Sequence, residues 1–150
     1  MSGIRLLALL FLLGLNHVAA SEELLMSRIA RPFPEAMSNL QDIIRAKGYV
    51  VSRVQRVDVG LTASGFKTAE YRIVFFGKPS EIHDLSVAHP ELIPYIPLTI
   101  VVFAEGDDTL ILTTDPLKLG EFFNKPDLLK RFDVWERDVR AIFDEVTHTP

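Results

Sequence analysis

Apolar positions recur at helical spacing in two segments of the chain and at strand spacing in several others. Between Glu35 and Lys47, Met37, Leu40 and Ile44 follow a helical period with Ala36 and Ile43 beside them. Pro34 suits the first turn of that helix, although Phe33 offers no side-chain cap, and Gly48 is placed to end it. Leu24 to Ile29 reads as a short strand, Val-rich Tyr49 to Val59 as a second, and Gly60 to Ala69 as a loop. Glu70 to Phe76 is a further strand, closed by Gly77-Lys78-Pro79 and followed by a short helix from Ser80 to Ala88. Pro90, Pro94 and Pro97 forbid a regular helix before Leu98. Leu98 to Glu105 and Thr109 to Thr114 are β-branched runs joined by Gly106-Asp107-Asp108, a hairpin signal.

The last segment is the most regular. Asn124 is a candidate cap, and Leu128, Phe132, Trp135, Val139, Ile142 and Val146 then form a narrow apolar seam. Asp133 with Arg137 and Glu136 with Arg140 are i, i+4 pairs on the other side. The order β-α-β-β-α-β-β-α predicts an α+β fold, an antiparallel sheet with helices packed on one face. The expected division is an α+β domain over residues 21–123 and a C-terminal amphipathic helix over 124–150.

A sheet covered on one side alternates apolar with polar positions, and these strands do not. Tyr71, Ile73 and Phe75 point one way, Val74 and Phe76 the other beside Arg72. Leu98, Ile100, Val102 and Ala104 oppose Val101 and Phe103, while Leu110 and Leu112 oppose Ile111. Read this way, the second face carries Val74, Phe76, Val101, Phe103 and Ile111, the expected association face. Each aromatic there offers ~150 Å² or more to bury, and such a patch on a monomer is an aggregation liability. Three covers fit: the terminal helix, a small apolar ligand, or a second copy of the chain, which is the preferred one.

The N-terminus changes the compartment. Arg5, the apolar run Leu6 to Leu15, and Val18 and Ala20 before a cut have the three parts of a secretory signal peptide over residues 1–20. The run is too short to span a bilayer, so the protein is expected to be exported, periplasmic or secreted, with no stable membrane insertion after cleavage. There is no cysteine, which excludes disulfides, thiolate metal sites and a cysteine nucleophile. A net charge of −4 gives no electrostatic footprint for nucleic acid.

Taken in order, several fragments resemble one known family, that of domain of unknown function 302, from about Leu24 to Phe123. They are Lys47-Gly48-Tyr49, Val57-Asp58-Val59 before a small-residue loop, Tyr71-Arg72-Ile73-Val74-Phe75-Phe76-Gly77-Lys78-Pro79, and Ile96-Pro97-Leu98-Thr99-Ile100-Val101-Val102-Phe103. Family members usually carry asparagine where this chain has Lys78. The resemblance implies a fold similar to the TATA-binding-protein-like arrangement and a tendency to homodimers, and it implies no activity and no catalytic residues.

Candidate chemistry is sparse. His83 and His89 lie among Glu81, Asp84 and Glu91, but a spacing of six does not put both on one helical face, and no metal site or cofactor is assigned. Asp58 closes a strand beside the glycine-containing loop, where it serves either as a general base or as an acceptor that orders the turn. Tyr95, among prolines, is placed to line a groove beside the sheet. The leading expectation is a non-enzymatic ligand-binding or accessory module acting as a homodimer, with Asp58, Tyr95, His83 and His89 as candidate ligand-binding residues. Its alternatives are a hydrolase or isomerase using Asp58 with His83 or His89, and an interaction module that docks through the terminal helix.

Overall fold

A computed structural model describes residues 23–149. The signal peptide expected over residues 1–20 lies outside them. Five strands form one antiparallel sheet: β1 (Leu24–Ile29), β2 (Val50–Arg56), β3 (Tyr71–Gly77), β4 (Leu98–Glu105) and β5 (Asp108–Thr114), in spatial order β1-β5-β4-β3-β2. The helices are α1 (Phe33–Ala46), α2 (Val57–Ala63), α3 (Pro79–Ala88), α4 (Pro116–Phe123) and α5 (Pro126–His148), with a 3₁₀ segment over Pro90–Tyr95.

Helix α1 forms where its apolar period predicts, burying Phe33, Ala36, Met37, Leu40, Ile43 and Ile44. It stops at Gly48, whose φ of 81° is open to glycine and strained for other residues. The amides of Gly48 and Tyr49 take up the carbonyls of Arg45 and Ile44, which would otherwise end the helix unpaired. Helix α5 buries the whole predicted seam, Phe143 and Glu136 included, so it belongs to the same core as the sheet and is not a separate unit. Arg31 holds its far end by donating to the Val146 carbonyl at 3.1 Å, and buried Thr109 donates to the Arg31 carbonyl at 2.9 Å.

Three boundaries differ from expectation. The second strand ends at Arg56, and Val57 to Ala63 turns into α2, because Asp58 pairs with Arg72 in place of continuing the ladder. Helix α4 was not expected; the Asp115 carboxylate caps it by accepting from the Leu117 amide at 2.9 Å, and Pro116 fills its first turn. Asn124 therefore does not open the terminal helix. It takes the left-handed conformation (φ 47°) that closes α4, and Lys125 flanks α5 instead.

The register corrects the predicted faces. In an antiparallel ladder, directly opposed residues share a face, and parity along one strand does not say which face of the next it joins. Val74 opposes Ile100, Phe76 opposes Leu98, and Val102 opposes Ile111. Val74, Phe76 and Ile111 thus point into the helix-covered core, each fully buried, and are not part of an association face. Val101 and Phe103 do lie on the other face, joined there by Tyr71, Ile73, Phe75, Leu110 and Leu112.

Candidate functional site

The face away from α1 and α5 is built as cross-strand rows. The central row runs Gln55, Ile73, Val101, Leu112 and Met26 across all five strands. A second runs Tyr71, Phe103, Leu110 and Arg28, and a third starts Arg53, Phe75 and Thr99. The inner apolar residues are half-buried by one another, while Met26 at the β1 edge is 62 % exposed. Charge is confined to the edges, in Arg53 on β2 and in Arg28, which pairs with Glu105. The result is a dry centre with a polar rim, the make-up of an association surface rather than of a solvated sheet face.

This face runs into a groove at the Gly77 end of the sheet. Phe75 and Thr99 form its floor, and Pro94, Tyr95, Pro97 and Leu119 are among its walls, around about 220 Å³. Tyr95, 40 % exposed, meets Phe123 edge-on at 5.4 Å and tilts toward Phe122 at 6.5 Å. Phe122 is 72 % exposed, and from it the rings continue inward through Phe123 and Phe132 to Trp135. Tyr95 therefore does line a groove beside the sheet, as its place among prolines suggests. The contribution of Phe122 and Leu119 was not foreseen, because α4 was not; the Asp115-Pro116 cap signal ahead of two phenylalanines was the clue.

The polar candidates do not converge. Asp58 bonds the Arg72 guanidinium at the start of β3, and that bond holds its carboxyl below the usual aspartate range. A carboxylate tied to a guanidinium in this way is a weak proton acceptor. It also offsets two arginines, since Arg56 opposes Arg72 on the ladder. His83 and His89 come after the other end of β3, a strand about 20 Å long. The Asp58 pairing with His83 or His89 expected of a hydrolase or isomerase is therefore not formed.

His89 instead clasps the 3₁₀ segment to α5, with Nδ1 3.3 Å from Glu91 and Nε2 3.1 Å from Asp127. Lys125 also bonds Glu91, and chiefly through that bond pulls the Glu91 pKa down to about 2. A shallow cavity of about 330 Å³ lies beside this clasp, bordered by Glu81, Arg131 and Leu128; Glu81 is already engaged by Arg131 and by the Trp135 indole, which donates to it at 3.1 Å. His83 is exposed, with its carbonyl accepting from the Ser86 hydroxyl at 2.8 Å. Among the described residues, no group of three or more His, Asp or Glu is arranged to hold a metal ion. Near the same end, buried Tyr49 donates to Asp138 at 2.6 Å; burial first and that carboxylate second push its phenol well above the usual tyrosine range. Lys78, at the position where asparagine is usual, lies 4.6 Å over the Tyr49 ring and makes no side-chain cap to α3.

A model of the family described as domain of unknown function DUF302 matches residues 26–146, which takes in most of α5 as well as the sheet. An uncharacterized conserved protein of that family from Bacillus stearothermophilus has a similar crystal structure. Its TM-score is 0.76 at 19 % identity, over 84 % of this chain and 99 % of that one, which shows a common fold. No curated protein matches the chain.

Proposed function

The chain belongs to the DUF302 family, and from that premise and the bare sheet face we propose that it is an exported, non-enzymatic accessory module acting as a homodimer. The observation that carries this reading is the open face of β3, β4 and β5, where Ile73, Phe75, Val101, Phe103, Leu110 and Leu112 stand with no helix over them. Five strands spaced about 4.8 Å apart and seven residues long give a face on the order of 500 Å² in projection. Two such faces remove roughly 1,000 Å² or more of accessible surface, the size at which stable association begins. Sheets packed in this way interdigitate about 10 Å apart, as in a sandwich.

A second copy suits the face because the same patch is apolar in the middle and charged at both edges, and a two-fold contact needs a self-complementary patch. The seam where two faces meet is also where a small apolar ligand is to be sought. Export is supported by Arg5 and the Leu6 to Leu15 run. The interaction reading through the terminal helix loses its basis, since the Leu128 to Val146 seam is spent on the protein's own core. Native mass spectrometry of protein purified from its own host tests the proposal: a dimer, beginning at Ser21, is expected, with or without a bound small molecule. A monomer that carries nothing ends it.

A further inference from the structure

The connection between β2 and β3 carries one aromatic side chain that its own fold leaves in water. Phe66 follows Gly65, whose φ of 88° turns the chain, and is 63 % exposed. Its loop enters β3 at Tyr71, and the apolar groove beside Tyr95 takes its floor from Phe75, four residues further along the same strand. That places an unburied aromatic and an unfilled apolar groove at opposite ends of one sheet. Phe66 is not among the groove's lining residues.

We propose that in the homodimer the Phe66 ring of each copy enters the groove of the other, beside Tyr95. This rests on the homodimer reading above and gives it a geometry. A two-fold axis lying between the two faces and perpendicular to the strands lays the Tyr71 end of one sheet over the Phe75 end of the other, and keeps β3 above β3. Both Phe66 side chains then reach both grooves, and the contact closes on itself without propagating. An axis parallel to the strands superposes like ends and leaves ring and groove unmatched.

The groove fits this occupant in size and chemistry. At about 220 Å³ it falls below the roughly 300–1,000 Å³ of ordinary small-molecule pockets, and suits a single aromatic side chain. Pro94, Pro97 and Leu119 present apolar walls, and Tyr95 offers a ring for an edge-to-face contact. It is continuous through Phe75 and Thr99 with the face that the second copy covers. Buried aromatic anchors seated in pockets are the residues that dominate protein interfaces.

The chain has no cysteine, so introduced thiols report without interference. The full chain carrying Phe66→Cys is mixed with the full chain carrying Tyr95→Cys and treated with a short bis-maleimide; Val101→Cys, at the centre of the face, is treated alone. Covalent dimer is expected from both, and Phe66→Ala is expected to weaken dimerisation by at least about tenfold. Crosslinking of Val101→Cys without any in the Phe66→Cys and Tyr95→Cys mixture overturns the inference and leaves the homodimer standing. Crosslinking of neither removes both.

Discussion

Tyr71 and Phe103 oppose each other across β3 and β4, their ring centroids 6.0 Å apart and their planes at 69°, on the sheet face that no helix covers. On the other face, Tyr49 and Phe76 make a similar edge contact at 5.4 Å inside the core. The two pairs are chemically alike and differ in what surrounds them, which separates the core from the association face.

Phe76→Ala is therefore expected to cost about 3–5 kcal/mol, because it empties a fully buried site that the surrounding helices cannot close. Phe103→Ala is expected to cost a protomer far less, chiefly the ring pair at about 0.5–1.5 kcal/mol and some partly buried area. Urea unfolding of both variants at low protein concentration, where association contributes least, checks the contrast. Equal losses would mean that the open face behaves as core.

Trp135, the chain's one tryptophan, is 2 % exposed and packs edge-on to Phe132 at 5.5 Å. Deleting Asp127 onward strips the sheet of its long cover, and loss of cooperative unfolding by circular dichroism is expected. Trp135→Phe is expected to fold but to lose the donor to Glu81, at roughly 1–3 kcal/mol for a charged acceptor. A truncated chain with an unchanged melting temperature would return the helix to the role of a free docking element.

Acid should loosen two specific pairs. Arg72 holds the folded Asp58 carboxyl below its ordinary value, so its contribution is complete above the unfolded value of about 3.9 and is lost as pH falls through the lower folded one. The stability difference between wild type and Asp58→Asn is thus expected to be largest near neutrality and to shrink below about pH 4. For Glu91, held at about 2 by Lys125, the Glu91→Gln difference is expected to persist further and to fade only toward pH 2. Thermal melts across pH 2–7 check both windows; a difference that grows on acidification would contradict the pairing.

The parts of the fold set by local pattern were legible from residues alone. The α1 period, the Gly48 stop, the hairpin at Gly106 and the α5 seam all stand where the sequence puts them. What failed depends on contacts distant along the chain. Val57 and Val59 favour a strand, yet the Asp58–Arg72 pair, fourteen residues apart, bends that segment into α2. The apolar character of both sheet faces was readable, but the grouping of Val74, Phe76 and Ile111 with Val101 and Phe103 was not, because register is a property of two strands together. The groove escaped for a similar reason: it joins Phe75, Tyr95 and Leu119 from three elements.

Sedimentation velocity of wild type beside Val101→Lys bears on the central claim most directly. Val101 sits mid-face between Ile73 and Leu112, where a lysine keeps its charge in water on a lone protomer but cannot be buried against another copy without a partner. Wild type is expected to sediment as a dimer at micromolar concentration, and Val101→Lys as a folded monomer. A wild type that is monomeric, or a Val101→Lys variant that still dimerises, would contradict it.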